Sequence, residues 1–149
     1  MDKPTEQQRA RSVNRQLLAT LSELGFAKSD GGSCTIAVCE LICRVGIQKF
    51  RNQPAFRVIY NLERVDGSRD GLPTEHSDRF TYRNNPSGRQ FNFDIQWGDE
   101  PVVRCLTEIH DFVRDIVVPW AQSNAVKSFM QRCCLAFFSV FVALRCLVF

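Results

Sequence analysis

The chain has 149 residues, of which 44% are hydrophobic and 23% charged, a composition that fits one globular domain and excludes a disordered chain. Of its 19 basic residues, all but Lys127, Arg132 and Arg145 lie within residues 1–124, where they balance 16 acidic residues. A neutral body lacks the clustered positive charge that nucleic-acid binding requires, so no nucleic-acid partner is expected.

Two stretches have apolar residues at the three- and four-residue spacing of an amphipathic helix. The first begins after Pro4 and runs to Leu24, and Gly25 is expected to form a left-handed cap at its end. The second is expected to start with Asp99 as its cap, and Pro119 is expected to end or kink it.

Four segments alternate between apolar and polar residues and predict β-strands: 35–47, 54–63, 79–83 and 89–97. Residues 64–78 predict a polar loop, and residues 84–88 predict the turn of a hairpin. Because each strand is apolar on one face only, the sequence predicts an α+β fold. Its four-stranded antiparallel sheet would carry both amphipathic helices on one face, with an apolar helix at the C-terminus.

Three short motifs resemble an uncharacterised family of bacterial α+β domains. They are Leu24-Gly25-Phe26, a strand ending in Trp97, and Val118-Pro119-Trp120, and the resemblance covers residues 10–122. It implies a small domain of unknown activity, with some relatives thought to neutralise toxins. It implies no functional residues.

The sheet face away from the helices is predicted to be polar. An acid/base pair needs a cleft that shifts its pKa values, and an open sheet offers none, so this face is interpreted as solvated or as bound to another protein. The candidate partner-binding residues are Glu40, Arg44, Arg57, Asn61 and Asp94. The loop at 64–78 is a second candidate surface.

No catalytic residue, metal site or cofactor is expected. The seven cysteines include no C-x-x-C pair, and neither histidine lies near a cysteine in the sequence. Reduced, buried thiols and the absence of a signal sequence favour a cytoplasmic location. A small enzyme that uses His76 or His110 with a carboxylate is kept as an alternative.

Residues 1–124 are interpreted as one domain and residues 125–149 as an apolar C-terminal segment. From Cys133 to Phe149 the only polar side chains outside the cysteines are Ser139 and Arg145. As a helix this stretch spans ~26 Å, somewhat less than a hydrocarbon core of ~30 Å. The sequence leaves three interpretations of this segment open: a helix of the core, a membrane anchor, or a stretch that was not selected as part of the domain. Lipidation of Cys146, which lies in a C-a-a-X motif, also stays open.

The sequence therefore predicts a non-catalytic protein-binding module, of which an immunity-type inhibitor is one form. A membrane accessory protein attached through residues 133–149 and the small enzyme are the alternatives.

Overall fold

The structure is a computed structural model that describes residues 5–78, 90–94, 96 and 100–145, with side chains up to residue 133. Its helices are α1 (Glu6–Ser22), α2 (Pro101–Phe112) and α3 (Val118–Arg145), with a 3₁₀ turn at Asp30–Gly32 and a π-helical turn at Val113–Val117. Its strands are β1 (Ala27–Lys28), β2 (Cys34–Val38), β3 (Leu41–Lys49), β4 (Ala55–Glu63), β5 (Thr74–His76) and β6 (Phe91–Asn92).

The strands form one antiparallel sheet in the order β1-β2-β3-β4-β5. The short strand β6 also pairs with β4, at Ala55 and Phe56, whereas β5 pairs with Ile59 to Asn61. The predicted α+β class and antiparallel sheet are confirmed. The predicted count of four strands is wrong, since the described part of the chain alone contributes six.

The predicted strand at 35–47 is in fact the hairpin of β2 and β3. Val38 pairs with Leu41, so the two-residue turn is Cys39-Glu40. Because a two-residue turn places residues i and i+3 on the same face, the core-facing positions change from even-numbered in β2 to odd-numbered in β3. Cys39 has a φ of +54°, a conformation that turns normally give to glycine or asparagine. Because neither Cys39 nor Glu40 is a usual turn residue, the sequence did not predict this turn.

Two further predictions about strands change. Residues 64–78 are not loop throughout, because Thr74–His76 form β5. Of the segment predicted as 89–97, residues 90–94 and 96 are described, and among them Phe91–Asn92 form a strand. The predicted strand at 79–83, the turn at 84–88 and the cap at Asp99 lie outside the described residues.

Helix α1 begins with a capping box at Thr5. The Thr5 hydroxyl accepts from the Gln8 amide at 3.3 Å, and the Thr5 amide donates to Gln8 Oε1 at 2.7 Å. At the other end Gly25 has a φ of +87°, which confirms the predicted left-handed cap. The chain then folds back, and the Phe26 amide donates to the Leu21 carbonyl.

The sequence predicts that Pro119 ends or kinks the second helix, and in the structure the helix does not end there. The helical path continues from α2 through the π-helical turn into α3, which contains Pro119 in its first turn. Proline has no N–H to donate and its ring crowds the carbonyl four residues earlier, and a wider turn just before it relieves both problems.

The core lies between the helices and one sheet face. Tyr60 of β4 is its centre, with its ring 6.0 Å from Phe112 and 4.8 Å from Trp120. Ala121 and Ala125 are both buried, so α3 packs on the core across the predicted boundary at residue 124. Within the described residues, none of the helices is both long enough and apolar enough to cross a membrane.

Candidate functional site: the second sheet face and the 64–73 loop

The second sheet face is the one that does not carry the helices. Strand alternation places Arg57, Asn61 and Glu63 of β4 there, together with Arg44 of β3. Three of the five predicted partner-binding residues, Arg44, Arg57 and Asn61, are thus brought onto one face.

The other two predicted residues lie elsewhere. Glu40 is exposed in the β2–β3 turn, and its carboxylate lies 3.6 Å from Arg132 of α3. Asp94 follows β6, and its side chain accepts from the amide of Gln96 at 3.3 Å and from its side chain at 3.2 Å. Neither residue belongs to the group of side chains that surrounds Arg44.

Arg44 is held by an intramolecular network. Its Nε lies 3.1 Å from both carboxylate oxygens of Glu63, and its Nη2 lies 2.6 Å from Oε1. Its Nη1 donates to the hydroxyls of Ser29 at 2.6 Å and Ser33 at 2.8 Å. The guanidinium therefore donates its hydrogen bonds to other residues of the fold, and it is not a free surface charge.

Glu63 is the buried partner of this network, with 4% of its side chain exposed. The hydrogen bonds from Arg44 hold the pKa of the carboxyl below its ordinary value, and the charges of Arg44 and Arg69 act in the same direction against the effect of burial. Glu63 therefore stays ionised. An ionised carboxylate shared by two arginines stabilises a structure and is unsuited to act as a general base.

Arg69 connects the sheet face to the loop that follows β4. Its Nη2 lies 3.3 Å from Glu63 Oε2, and about half of its side chain is exposed. This residue was not singled out by the sequence, because its contact depends on how the loop folds back over the end of β4.

The loop at residues 64–73, here called the 64–73 loop, is fixed by its own hydrogen bonds. The Arg64 amide donates to the Ser68 carbonyl at 2.9 Å, and the Ser68 amide donates to Asp66 Oδ1 at 2.9 Å. The Arg64 side chain reaches the Asp70 carbonyl at 3.1 Å. Such bonds stabilise the turn that the loop forms.

Val65 stands at the tip of this loop with 81% of its surface exposed. Asp66, Arg69 and Asp70 surround it in the sequence and are exposed as well. Val65 is thus a single exposed apolar side chain amid charges of both signs.

Arg57 lies on the same face but beside different partners. It donates to Gln48 Oε1 at 2.8 and 2.6 Å and lies 3.4 Å from Asp78. Its guanidinium carbon is 5.8 Å from the centre of the Phe50 ring. About a third of the Arg57 side chain stays exposed, close to the quarter of Arg44 that is exposed.

Asn61 and His76 each carry a buried polar atom that has no hydrogen-bond partner among the described residues. Asn61 pairs with Thr74, and its neighbour Ile59 pairs with His76, so the two side chains lie on the same face. The Asn61 Nδ2 and His76 Nδ1 atoms make no hydrogen bond in the described part of the chain. An unsatisfied buried amide costs stability, and it is the feature of this face that sequence reasoning did not foresee.

His110, the other histidine of the enzyme alternative, lines an open groove of about 360 Å³ between α1 and α2. Its Nδ1 lies 3.2 Å from Asp111, which also pairs with Arg114 at 3.0 Å. None of the described residues lining this groove is a serine or a cysteine. Thr20 and Thr107 do supply hydroxyl groups to the groove and Glu23 supplies a carboxylate, so the enzyme alternative stays a prediction.

Metal and thiol chemistry were also considered. Over residues 5–78, 90–94, 96 and 100–133, no three histidine, cysteine or acidic side chains are close enough together to hold a metal ion. Burial raises the pKa of Cys43 to about 12, with the nearby Glu63 charge adding to the shift, and burial likewise raises that of Cys105 to about 12. These two thiols behave as core residues and not as nucleophiles.

Comparisons with protein-family models, with curated proteins and with solved structures return no match. The resemblance to a bacterial α+β family therefore stays a prediction.

Proposed function

We propose that this protein is a non-catalytic binding module that captures another protein through the 64–73 loop, with Arg57 and Arg69 at the edge of the contact. The observation that carries the proposal is Val65, a large apolar residue that is 81% exposed on a loop already fixed in one conformation. A rigid loop loses little conformational entropy on binding, which favours its use as an anchor.

The surroundings of Val65 favour a protein partner. Charges of both signs lie within a few residues, so the surface has no strong net field that would select a nucleic acid. A small apolar contact with a mixed polar rim is the usual composition of a protein interface. An immunity-type inhibitor, which binds a toxin and blocks it, is one form of this function.

The proposal shifts the binding surface from the one the sequence favoured. Arg44 is bound to Glu63, Ser29 and Ser33 and Asn61 is buried, whereas Val65 and about half of Arg69 are exposed and Arg57 is about a third exposed. The five described cysteines are all free thiols, which favours the reducing cytoplasm as the place where capture occurs.

The test uses a photo-crosslinking amino acid at position 65 of the full chain in its native cells. A matched control carries the same amino acid at position 103, because Val103 is also exposed but lies on α2. We expect one protein to be crosslinked from position 65 and not from position 103.

The captured protein is then purified and its Kd is measured by calorimetry. Val65→Asp should weaken binding by at least about tenfold, equal to 1.4 kcal/mol, while Val103→Asp should leave it unchanged. Equal Kd values for both variants, or equal crosslinking from both positions, would remove the loop from the interface.

A further inference from the structure

Helix α3 carries a stripe of apolar side chains, here called the α3 stripe, formed by the exposed Val126, Phe129 and Met130 and the half-buried Cys133. The exposed fractions are 48% for Val126, 48% for Phe129 and 60% for Met130. Spacings of three, four and seven residues place the four side chains on one side of the helix. Three of the five large hydrophobic residues that are exposed in the described chain belong to this stripe.

The opposite side of the same helix faces the domain. Ala121 and Ala125 are buried in the core, and Ser128, Phe129 and Arg132 border a small notch against the β2–β3 turn. The helix is therefore fixed on the body of the protein, with Val126 and Met130 directed outward and Phe129 half-exposed at the edge of the notch. An outward apolar stripe on a fixed helix is available to an external surface.

Basic residues flank the stripe on both sides. At 100° per residue, Lys127 lies on one border and Arg132 on the other. Arg132 has Glu40 as a neighbour at 3.6 Å, whereas Lys127 forms no ion pair with any described residue. The sequence holds no carboxylate after Asp115, so no acidic residue of α3 offsets these charges.

The sign of these flanking charges argues against a second copy as the occupant. A symmetric pair would bring the same patch of both copies together, so Lys127 and Arg132 of one copy would face the same basic residues of the other. Like charges at such flanking positions oppose helix pairing.

A convex apolar ridge with basic borders is the pattern of a helix that lies in the interface of an anionic membrane. The ridge leads along the same helix into residues 134–145, whose sequence is apolar apart from Ser139 and Arg145. A lipid surface can accept such a continuous apolar length without shape complementarity, which a protein groove would need.

We propose that the α3 stripe docks this protein onto the surface of an anionic lipid bilayer, with Lys127 and Arg132 placed among the phosphate headgroups. Phe129 and Met130 enter the boundary between headgroups and acyl chains. Lipid docking uses α3 and does not depend on the 64–73 loop, so either proposal can fail without the other.

The test is flotation of the full chain with two kinds of vesicle: phosphatidylcholine alone, and phosphatidylcholine with phosphatidylserine at about two to one. We expect binding to the anionic vesicles only. Each basic residue near such a surface contributes about a fivefold gain in affinity, so Lys127→Glu should weaken binding by more than fivefold.

A second variant, Phe129→Ser with Met130→Ser, should weaken the same binding by about tenfold or more. Val103→Ser is the matched control because it removes an exposed apolar side chain from α2, and it should bind like the wild type. If the double variant does not fold, Lys127→Glu alone decides the question, since Lys127 is exposed and makes no contact that the fold needs.

Several outcomes would overturn the proposal. Equal flotation with neutral and anionic vesicles, or binding that survives high salt, would assign the interaction to apolar insertion without charge recognition. A dimer in light scattering that Phe129→Ser with Met130→Ser dissociates would make a second copy the occupant. Absence of flotation with either vesicle, or capture through the stripe by an acidic protein in place of lipid, would remove the membrane as the partner.

Discussion

Arg44 and Glu63 lie diagonally across the β3–β4 pair. Two guanidinium nitrogens of Arg44 donate hydrogen bonds to the Glu63 carboxylate, and the shortest contact is 2.6 Å. The pair links the 3₁₀ turn, through Ser29 and Ser33, to the 64–73 loop, through Arg69. Three segments that are distant in sequence are thus tied to one buried carboxylate.

Replacing Arg44 with leucine should destabilise the fold. The change leaves the Glu63 carboxylate buried with only Arg69 as a cation, and breaking a buried pair costs about 3 to 5 kcal/mol when no other partner remains. Because Arg44 is a quarter exposed and Arg69 stays in place, we expect a loss of about 2 kcal/mol in urea unfolding. The double variant Arg44→Leu with Glu63→Leu should regain most of it. A double variant less stable than Arg44→Leu alone would contradict this account.

The stability of the wild type should fall in acid because of Glu63. Its pKa in the folded state is below its ordinary value of 4.5, so the unfolded chain takes up a proton that the folded chain does not. The stabilisation is therefore complete above about pH 4.5 and is lost as the pH falls through the lower, folded-state pKa. Unfolding free energies measured from pH 7 to pH 3 should decline less steeply for Glu63→Gln. Parallel curves for the two proteins would exclude Glu63 as the titrating group.

Asn61→Leu should stabilise the protein. The Nδ2 group is buried without a partner among the described residues, so removing it eliminates a desolvation cost of about 1 kcal/mol. Asn52→Leu, at an exposed site, serves as the control and should leave the melting temperature unchanged. Should Asn61→Leu instead lower the melting temperature, a bound water or ligand must occupy the amide.

Cys39→Gly should stabilise the β2–β3 hairpin. A side chain at a φ of +54° costs about 1 to 2 kcal/mol, part of which glycine returns through its greater freedom when unfolded. We expect a net gain of about 0.5 to 1 kcal/mol in thermal unfolding. Glu40→Gly should give no gain, because Glu40 has no positive φ to relieve. A gain from both variants would mean that flexibility of the turn matters and not the conformation of Cys39.

The described cysteines should differ widely in reactivity. Cys39 is exposed, whereas the pKa values of Cys43 and Cys105 are raised to about 12, so that at pH 8 only about one molecule in ten thousand carries either thiolate. In a pulse of iodoacetamide followed by mass spectrometry, Cys39 should be labelled first. Cys43 and Cys105 should be labelled only after urea is added. Early labelling of Cys43 would show that β3 opens locally.

Local patterns were sufficient to predict the parts of the fold that local chemistry determines. The apolar spacing located α1 and α2, and Gly25 marked the end of α1, because helix periodicity and a left-handed cap are both visible in a few consecutive residues. The β2–β3 turn was missed since Cys39 has neither the residue type nor the neighbours of a usual turn former. Strand β5 was missed because its three residues show no alternation long enough to detect.

The candidate site was harder to predict for a related reason. Strand alternation correctly put Arg44, Arg57 and Asn61 on one face, but it could not tell which of them the fold itself uses. That depends on the register that brings Arg44 beside Glu63 and on the loop that brings Arg69 to the same carboxylate. Both are long-range relationships, and no sequence window contains them.

The π-helical turn at Val113–Val117 determines the direction in which the rest of α3 faces. A deletion of one residue there would restore regular helix and rotate everything beyond it by about 100° about the helix axis. Ala121 and Ala125 would leave the core and the α3 stripe would turn away from the side it now occupies. This single wide turn thus determines which side of the C-terminal helix faces the core. It also allows Pro119 to lie within the helix.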